Sequence, residues 1–484
     1  MPTRNIAWPS GKVHRTTLIA MFCGSLLCGL GLVQAGWNMH GVVWAVVSCA
    51  LLIGCYGRVC VVAVPAAVLA GVVFGVWRGT DMQVGLAVYA NYIDQKVTIT
   101  GTVIDDAGYG DKGQRDMRLR DVQFDGRSPP GVVRVTSHTM SQPRRGDVVQ
   151  ATGKLREGFG NYQGAIYFGE LRIVSVNQNP AEALRRQFAA GVYSVMPDLQ
   201  ASLGLGVLMG IKTQLSDELD SQLKTLALTH IVVASGYNLT VLMRLARRLF
   251  EKRSKFQTLV VGSSLMSAFV VVTGFSPSMT RAALVSGLSL LAWYFGRRVH
   301  PVVLLLFVAA LTAGINPLYV WGDLGWWLSF LAFAGVLLVA PLLEHRLFGE
   351  KRPKLVGQLV IETSAAQITT LPLTLAIFGN LSILGLPANV LIVPLIPLAM
   401  LFTLVGGVAA AIIGPLGAYV AVPAVWLLTY ITSLIAGLSA IPWAATTLKI
   451  EAWMMLVLYG ILAGVCILIW RKTRHDFMGR SVIE

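Results

Sequence analysis

Residues 452–474 read Ala-Trp-Met-Met-Leu-Val-Leu-Tyr-Gly-Ile-Leu-Ala-Gly-Val-Cys-Ile-Leu-Ile-Trp-Arg-Lys-Thr-Arg. Nineteen residues pass without a charge, tryptophans stand near both ends, and Arg471, Lys472 and Arg474 follow at once. An uncharged run of about 20 residues crosses the ~30 Å hydrocarbon core as a helix. Tryptophan favours the two interfaces, and cations stay on the cytosolic side.

The same pattern recurs along the chain. It predicts spans at roughly 17–36, 38–56, 59–77, 229–243, 256–274, 279–296, 300–316, 321–342, 356–378, 383–413, 418–439 and 452–470. The 229–243 run is short, and 383–413 is broken by Pro387, Pro394 and Pro397. Composition agrees. Of 484 residues, 55% are hydrophobic and 13% charged, with 49 glycines besides. A soluble chain holds about 45–50% apolar residues, glycine included, and about 25% charged. Soluble enzyme, disordered chain and disulfide scaffold are excluded as readings of the whole. The six cysteines lie in or beside apolar runs without CxxC zinc spacing, as small packing residues do.

The net charge is +15, which alone would suggest a nucleic-acid partner. Its placement gives another cause. Basic residues cluster at Arg4/Lys12/Arg15, Arg58, Arg244 to Lys255, Arg297/Arg298, Arg346 to Lys354 and Arg471 to Arg480. The loops that hold them contain 20 basic residues against five acids, so the rest of the chain is neutral. They separate alternate spans, which is the positive-inside pattern. Both termini are expected in the cytosol, and the polar segment after the third span outside. No cleavable leader is expected, because the first apolar run is too long and no small-residue cleavage site follows it.

Residues 93–178 follow a different period. Alternating runs at Val97–Thr100, Met117–Arg120, Val132–Val135, Asp147–Val149 and Ile166–Val176 are separated by Gly, Asp and Pro turns. Five short strands at this spacing predict a small closed β-barrel of OB type. Such barrels bind single strands through aromatic platforms and a basic groove. Tyr109, Phe124, Phe159, Tyr162 and Tyr167 are candidates for stacking. Arg118, Arg120, Arg144, Arg145, Lys154 and Arg156 are candidates for phosphate contacts. Segment 78–180 is only two charges positive, so a neutral barrel whose aromatics serve its core and rim stands beside the binding reading. Residues 181–228, with Leu184, Phe188, Val192 and Val195 at helical spacing beside Arg185 and Arg186, predict amphipathic helices on the outer membrane surface.

Next comes Ala227-Leu-Thr-His-Ile-Val-Val-Ala-Ser-Gly-Tyr-Asn-Leu-Thr240. Small and polar residues inside an apolar run mark a broken helix or the lining of a pathway. With four later blocks, this stretch resembles the ComEC-type competence proteins, the inner-membrane DNA-internalisation family. The blocks are Ser278-Met-Thr-Arg-Ala282, Gly322-Asp-Leu-Gly-Trp-Trp-Leu-Ser-Phe330, Ala366-Gln-Ile-Thr-Thr-Leu-Pro372, and Phe378-Gly-Asn-Leu-Ser382 continuing into Pro387-Ala-Asn389 to Pro394. Trp326 and Trp327 depart from the family's pattern. Five blocks in order make the likeness specific, and three spans followed by an outward barrel match the family's layout. Many members append a metallo-β-lactamase-like domain whose zinc site needs clustered histidines. The seven histidines here are dispersed, so the resemblance is to a short form without that domain. No phosphate-binding loop or paired-carboxylate signature occurs, and no catalytic residue, metal or cofactor is expected.

Charges inside spans cost ~2.5–3.5 kcal/mol each. Arg281, Asp323 and Glu362 therefore need a reason. Arg281 can contact phosphate, pair with Asp323 or Glu362, or snorkel outward. His230 can pack between helices or, with Ser235 and Asn238, line a path. Gly236 permits the break. Ser329, Gln367 and Asn389 complete the expected path, and the prolines border a cavity in interrupted helices. A hydrolase built on His230 and Ser235 lacks an acid to orient the histidine and an oxyanion motif.

The expected architecture is a polytopic α-helical membrane protein of about 10–12 transmembrane helices with an inserted extracytoplasmic OB-like barrel. Residues 1–80 form a three-helix membrane region, 93–178 the barrel, 181–228 surface helices and 229–484 the channel domain. The resemblance implies transport of single-stranded DNA across the cytoplasmic membrane during natural transformation. The DNA-binding residues would be Arg144, Arg145, Tyr162 and Tyr167. The implied partners are a DNA receptor and pilus components outside, a cytosolic motor or DNA-binding protein, a separate nuclease and the bilayer. The alternatives are a secondary transporter of another anionic substrate and a membrane-bound hydrolase.

Overall fold

Uncharged runs have no way to satisfy their backbone in lipid except as helices, and each predicted span that can be followed is helical. The computed structural model describes residues 14–55, 63–109, 113–124, 126–138, 141–211, 215–232, 254–273, 277–297, 300–349, 353 and 355–473. Helices α1 (Arg15–Gln34), α2 (Val43–Cys55) and α3 (Ala63–Ala90) form an N-terminal unit. Gly29 faces Gly75 across the α1–α3 seam, and Gly71 lies one turn away against Phe22 and Ser25. A Cβ at Gly29 would stand 2.6 Å from the Val72 carbonyl oxygen, and one at Gly75 would collide with the Leu26 carbonyl. The seam is thus backbone on backbone, as a small-xxx-small spacing allows. Gly206 and Gly210 share that spacing but act differently. Gly206 abuts Val232, while Gly210 ends its helix in the left-handed region at φ 71°.

The barrel begins where α3 ends. Its strands are β1 (Lys96–Val103), β2 (Gly108–Tyr109), β3 (Arg115–Gln123), β4 (Val133–Ser137), β5 (Val148–Glu157), β6 (Gly164–Ile166) and β7 (Glu170–Ser175). The ring runs β1-β3-β4-β6-β5 and closes through β1–β5 pairing. Among the described residues its one parallel contact is β4 on β6. This order is compatible with an OB fold. Inward positions alternate, so Val97, Ile99, Val103, Met117, Leu119, Val133, Val135, Val149 and Leu155 fill the interior. Two expectations change. The run 166–176 is two strands, split at Phe168 (φ 56°), with β7 lying along β5. The domain also starts before residue 93. Tyr89 is buried in the barrel core, edge-on to Phe124 at 5.3 Å, and Tyr92 stacks on Phe124 at 5.2 Å. The end of α3 therefore plugs the barrel, and Phe124 is core, not a platform.

After the barrel come α4 (Pro180–Val195), α5 (Asp198–Met209), α6 (Asp217–Thr225) and α7 (Thr229–Val232). The expected surface helices divide. α4 and α6 keep exposed polar faces, but α5 is enclosed, every residue from Ala201 to Met209 being buried. Its apolar residues surround the helix, so it has no polar face to present to a membrane surface.

The rest of the bundle is α8 (Lys255–Thr273), α9 (Pro277–Tyr294), α10 (Pro301–Ile315), α11 (Leu318–Gly322), α12 (Leu324–Ala334), a π-helical turn at Gly335–Val339, α13 (Ala340–Phe348) and α14 (Leu355–Phe378). Then follow β8 (Asn380–Ser382), α15 (Gly385–Ile392), a 3₁₀ turn at Val393–Leu395, α16 (Ile396–Ile413), α17 (Gly417–Ser439), β9 (Ala445–Thr447) and α18 (Ala452–Thr473). The proline-rich run is indeed interrupted, between α15 and α16. Among the described residues, six segments are long and apolar enough to cross a membrane: Arg15–Gln34, Ala63–Ala90, Leu324–Phe348, Gly357–Phe378, Gly385–Ser439 and Ala452–Thr473. Shorter apolar helices stand beside them, including α2, α8 and α10. This is a multi-pass helical membrane protein with a β-barrel domain.

Among the described residues the barrel meets one end of the bundle. Arg145 Nη1 donates to the Thr273 carbonyl at the end of α8 (3.3 Å). Arg78, on α3, holds the last carbonyls of α10 at Gly314 and Ile315 (3.0 and 2.9 Å). Gly322, at the end of α11, lies against Gly160 of the barrel. Lys255, Arg297, Arg346 and Arg471 stand at the other ends of their helices.

Candidate functional site

Arg281 lies in the second turn of α9, and its side chain crosses to the first turn of α12. Nη2 donates to the Gly325 carbonyl at 2.9 Å, and the guanidinium carbon sits 5.9 Å from the Phe330 ring centre. The residue is 2% exposed, so it does not snorkel. Nε and Nη1 are buried without a hydrogen-bond partner among the described residues. Asp323 is close by, but its Oδ1 caps α12 by accepting from Trp326 N–H at 2.9 Å. No ion pair joins Arg281 to Asp323 or to Glu362 among the described residues, so the pairing alternatives do not hold in this geometry. Ser329 is half-buried one turn beyond Gly325, on the same face of α12.

The barrel reaches this corner through its β5–β6 loop. A Cβ on Gly322 would stand 2.9 Å from the Gly160 carbonyl oxygen and 3.2 Å from Asn161 Oδ1. Only glycine lets the loop seat so closely, one residue before Asp323. The same loop presents Phe159 and Tyr162 edge to face at 5.3 Å, with Phe159 half exposed. Arg134 lies over the Phe159 ring at 5.5 Å and is held by Asp116 at 2.6 Å. Exposed Tyr167 and Phe168 continue this side, with His138 stacked on Phe168 at 5.2 Å.

The other candidate cations are mostly engaged. Arg118 is paired with Asp105, Arg120 with Asp121 at 3.6 Å, and Lys154 and Arg156 share Asp94 at 3.2 and 2.8 Å. Arg145 is built into the barrel–bundle junction. Its Nε meets Glu182 Oε1 at 3.3 Å, and its N–H donates to Asp106 at 3.0 Å. Arg185 meets Glu182 and Asp106 at 3.5 Å each. Burial pulls the Arg145 guanidinium below its ordinary pKa, and Glu182 opposes that shift. Arg144 is exposed, with its backbone N–H on Asp147 at 2.8 Å. Arg144 and Arg145, adjacent in sequence, thus have different surroundings.

A second polar cluster lies deeper. Gln367 is midway along α14, ~17 Å from either end. A Cβ at Gly385 would touch Ser382 Oγ at 2.9 Å, the Leu226 carbonyl oxygen at 3.1 Å and the Gln367 amide nitrogen at 3.2 Å. Asn389 follows one turn along α15, 6% exposed, and its side chain meets the His230 ring. His230 Nδ1 lies 3.0 Å from the Ala227 carbonyl, beside a break at Ala227 (φ 53°). Ser382 Oγ and Asn389 Oδ1 are buried without partners among the described residues. Ser235, Gly236 and Asn238 lie outside the described residues. Glu362 is apart from both clusters. It accepts from Gln358 at 2.8 Å and lines a small pocket with Val336, Ala340 and Glu344.

Three separate stretches meet around Gly385, and two more at Arg281. The family model described as "Competence protein" matches residues 207–473, more than half of the chain. The chain belongs to the competence protein family. It is 26% identical over 230 residues to "ComE operon protein 3" of Bacillus subtilis (strain 168); the match covers 47% of this chain and 28% of that protein. No solved structure matches. The family match contains both clusters of the helical bundle, while the barrel precedes it. Sequence reasoning missed Gly325, Phe330, Ser382, Gly385 and the Gly160–Gly322 seat. The block Phe378–Ser382 pointed toward Ser382, but nothing local marks a carbonyl or a glycine as a docking point. Among the described residues no three His, Cys, Asp or Glu side chains gather as a metal site.

Proposed function

We propose that this protein conducts single-stranded DNA across the cytoplasmic membrane during natural transformation. One observation supports this above the others: the aromatic β5–β6 loop is seated on Gly322, immediately before Asp323 and beside buried Arg281. Stacking platforms and a fixed cation then adjoin in the order a strand needs, bases on aromatics first and phosphate on a guanidinium next. The positive-inside pattern supports a barrel outside and both termini in the cytosol. The strand path then runs from Tyr162, Tyr167 and Arg144 past Arg281, Asp323 and Ser329 to His230, Gln367 and Asn389. Arg145 positions the barrel and leaves the contact set. A DNA receptor and pilus outside, a nuclease that removes the other strand, and a cytosolic motor or DNA-binding protein supply the remaining steps. We assign no covalent step to this chain.

A secondary transporter of a small anion would also use Arg281, but it gives the barrel and its aromatic side no task. The test is transformation in a naturally competent host with membrane abundance followed in parallel. Deletion, and Phe159→Ala with Tyr162→Ala at normal abundance, should each lower uptake of labelled DNA at least tenfold. Unchanged uptake in the deletion strain would exclude the reading.

A further inference from the structure

We infer that Arg281 and the first turns of α9 and α12 form a binding site for one monoanionic tetrahedral oxyanion, a phosphodiester or free phosphate. The inference deepens the reading above at one of its path residues, yet it requires only the membrane domain.

Arg281 has an unmet demand for acceptors. A guanidinium offers five N–H donors. Arg281, 2% exposed, spends Nη2 on the Gly325 carbonyl and leaves Nε and Nη1 buried without partners among the described residues. Nη2 carries two N–H groups and spends one on that carbonyl, so its second N–H still completes one edge of the fork with Nε or Nη1, and such an edge matches two oxygens of a phosphate group. The backbone around Arg281 adds to the local positive charge. α9 starts at Pro277, four residues before Arg281, and α12 starts at Leu324, one residue before the carbonyl that Arg281 holds. Two helix N-termini therefore meet at the guanidinium, each equivalent to about half a positive charge. Asp323 opposes them, and its Oδ1 is committed to Trp326 N–H. Arg281 and two helix ends against one carboxylate leave about one positive charge, which suits a monoanion. The phosphodiester of a strand carries one charge, and phosphate in its singly charged form carries one as well. Phe330 closes the guanidinium's face, so the ligand approaches at its edge.

The test uses the purified full-length protein in detergent, titrated with sodium phosphate against a gluconate background of matched ionic strength, with thermal unfolding as the readout. The wild type should show a saturable stabilisation. Arg281→Gln should lose the saturable part and keep only the general salting effect, and Arg281→Lys should retain it at higher phosphate. Asp323→Asn keeps the helix cap and removes the opposing charge, so its half-saturating phosphate should fall about tenfold. If Arg281→Gln does not insert, the Asp323→Asn shift decides. An equal response in wild type and Arg281→Gln, or an Asp323→Asn midpoint that does not fall, overturns the site. A short oligodeoxynucleotide that displaces phosphate identifies the strand as occupant, and displacement by a short-chain phosphatidylglycerol alone identifies a lipid; both support the site. A protein that imports DNA normally but shows no saturable phosphate response loses the site and keeps the proposed function. A saturable response without DNA uptake does the reverse.

Discussion

Glu182→Gln should loosen the barrel from the bundle. Glu182 is 8% exposed and places one carboxylate oxygen 3.3 Å from Arg145 and the other 3.5 Å from Arg185. A unit-charge pair at that distance is worth about 5 kcal/mol gross at an effective dielectric near 20. Desolvation offsets much of it, and Asp106 still faces Arg185 after the change. Among the described residues Arg145 keeps only the Thr273 carbonyl and Arg185 only Asp106, each by one long contact, so the net cost of removing the shared charge is about 3 kcal/mol. If that cost falls on opening of the junction, the open fraction rises about a hundredfold. Native-state proteolysis between Ser175 and Pro180 reads that fraction directly when closing outpaces cleavage. Combining Arg145→Met with Glu182→Gln should cost less than the two single changes added together, because the second change removes a charge already orphaned. A cleavage rate within threefold of wild type for Glu182→Gln would refute the reasoning, since the junction would then be held by apolar contacts alone.

Other outcomes follow from the same geometry. Cysteines placed at Ser128 and Ser175 should react with an impermeant thiol reagent in intact cells, and one at Ser254 should not; the reverse pattern would invert the topology. Gly75→Val should abolish membrane accumulation, because its side chain would collide with the Leu26 backbone, and immunoblotting of membranes checks it. Tyr162→Ala in the full-length protein should weaken oligonucleotide binding by about 1–3 kcal/mol, measured by fluorescence anisotropy at low salt. Asp94 is held below its ordinary pKa, first by its hydrogen bond with Lys154 and then by Arg156. Its stabilising effect is therefore present at neutral pH and lost as pH falls through the carboxylate range. Asp94→Asn should flatten the acid limb of barrel unfolding, and added salt should have the same effect.

The sequence made periodic features legible. Apolar runs of helical length located α1, α8, α9, α10, α14, α17 and α18, and alternation located the barrel interior at Val97, Ile99, Leu119, Val135 and Val149. It was silent where one element meets a distant one. Glu182 is 37 positions from Arg145, and Gly160 is 162 from Gly322, so no local period links them. Amphipathicity misplaced α5 because its flanks, Arg185 and Arg186 before it and Asp217 after it, are polar while its own surface is not. The π-helical turn at Gly335–Val339 arises where Gly335 fits against the Ala365 carbonyl, 2.6 Å from where its Cβ would be, a contact no pattern on α12 reveals. Of the candidate site, the chemical types Arg281, Gln367 and Asn389 were readable, but the carbonyls and missing side chains that seat them were not.

Tyr89 belongs to a membrane helix and to the barrel's core at once. During synthesis the barrel strands emerge only after α3, so the plug is already in place when β1 begins to pair, and the bilayer fixes its height. The barrel therefore folds onto an anchored template, with its orientation toward the lipid plane set before the later spans exist. A fragment starting at residue 93 would leave Phe124 facing a vacant socket. One starting near Leu86 keeps both ring partners, and that difference sets where the domain can be cut out or exchanged between proteins.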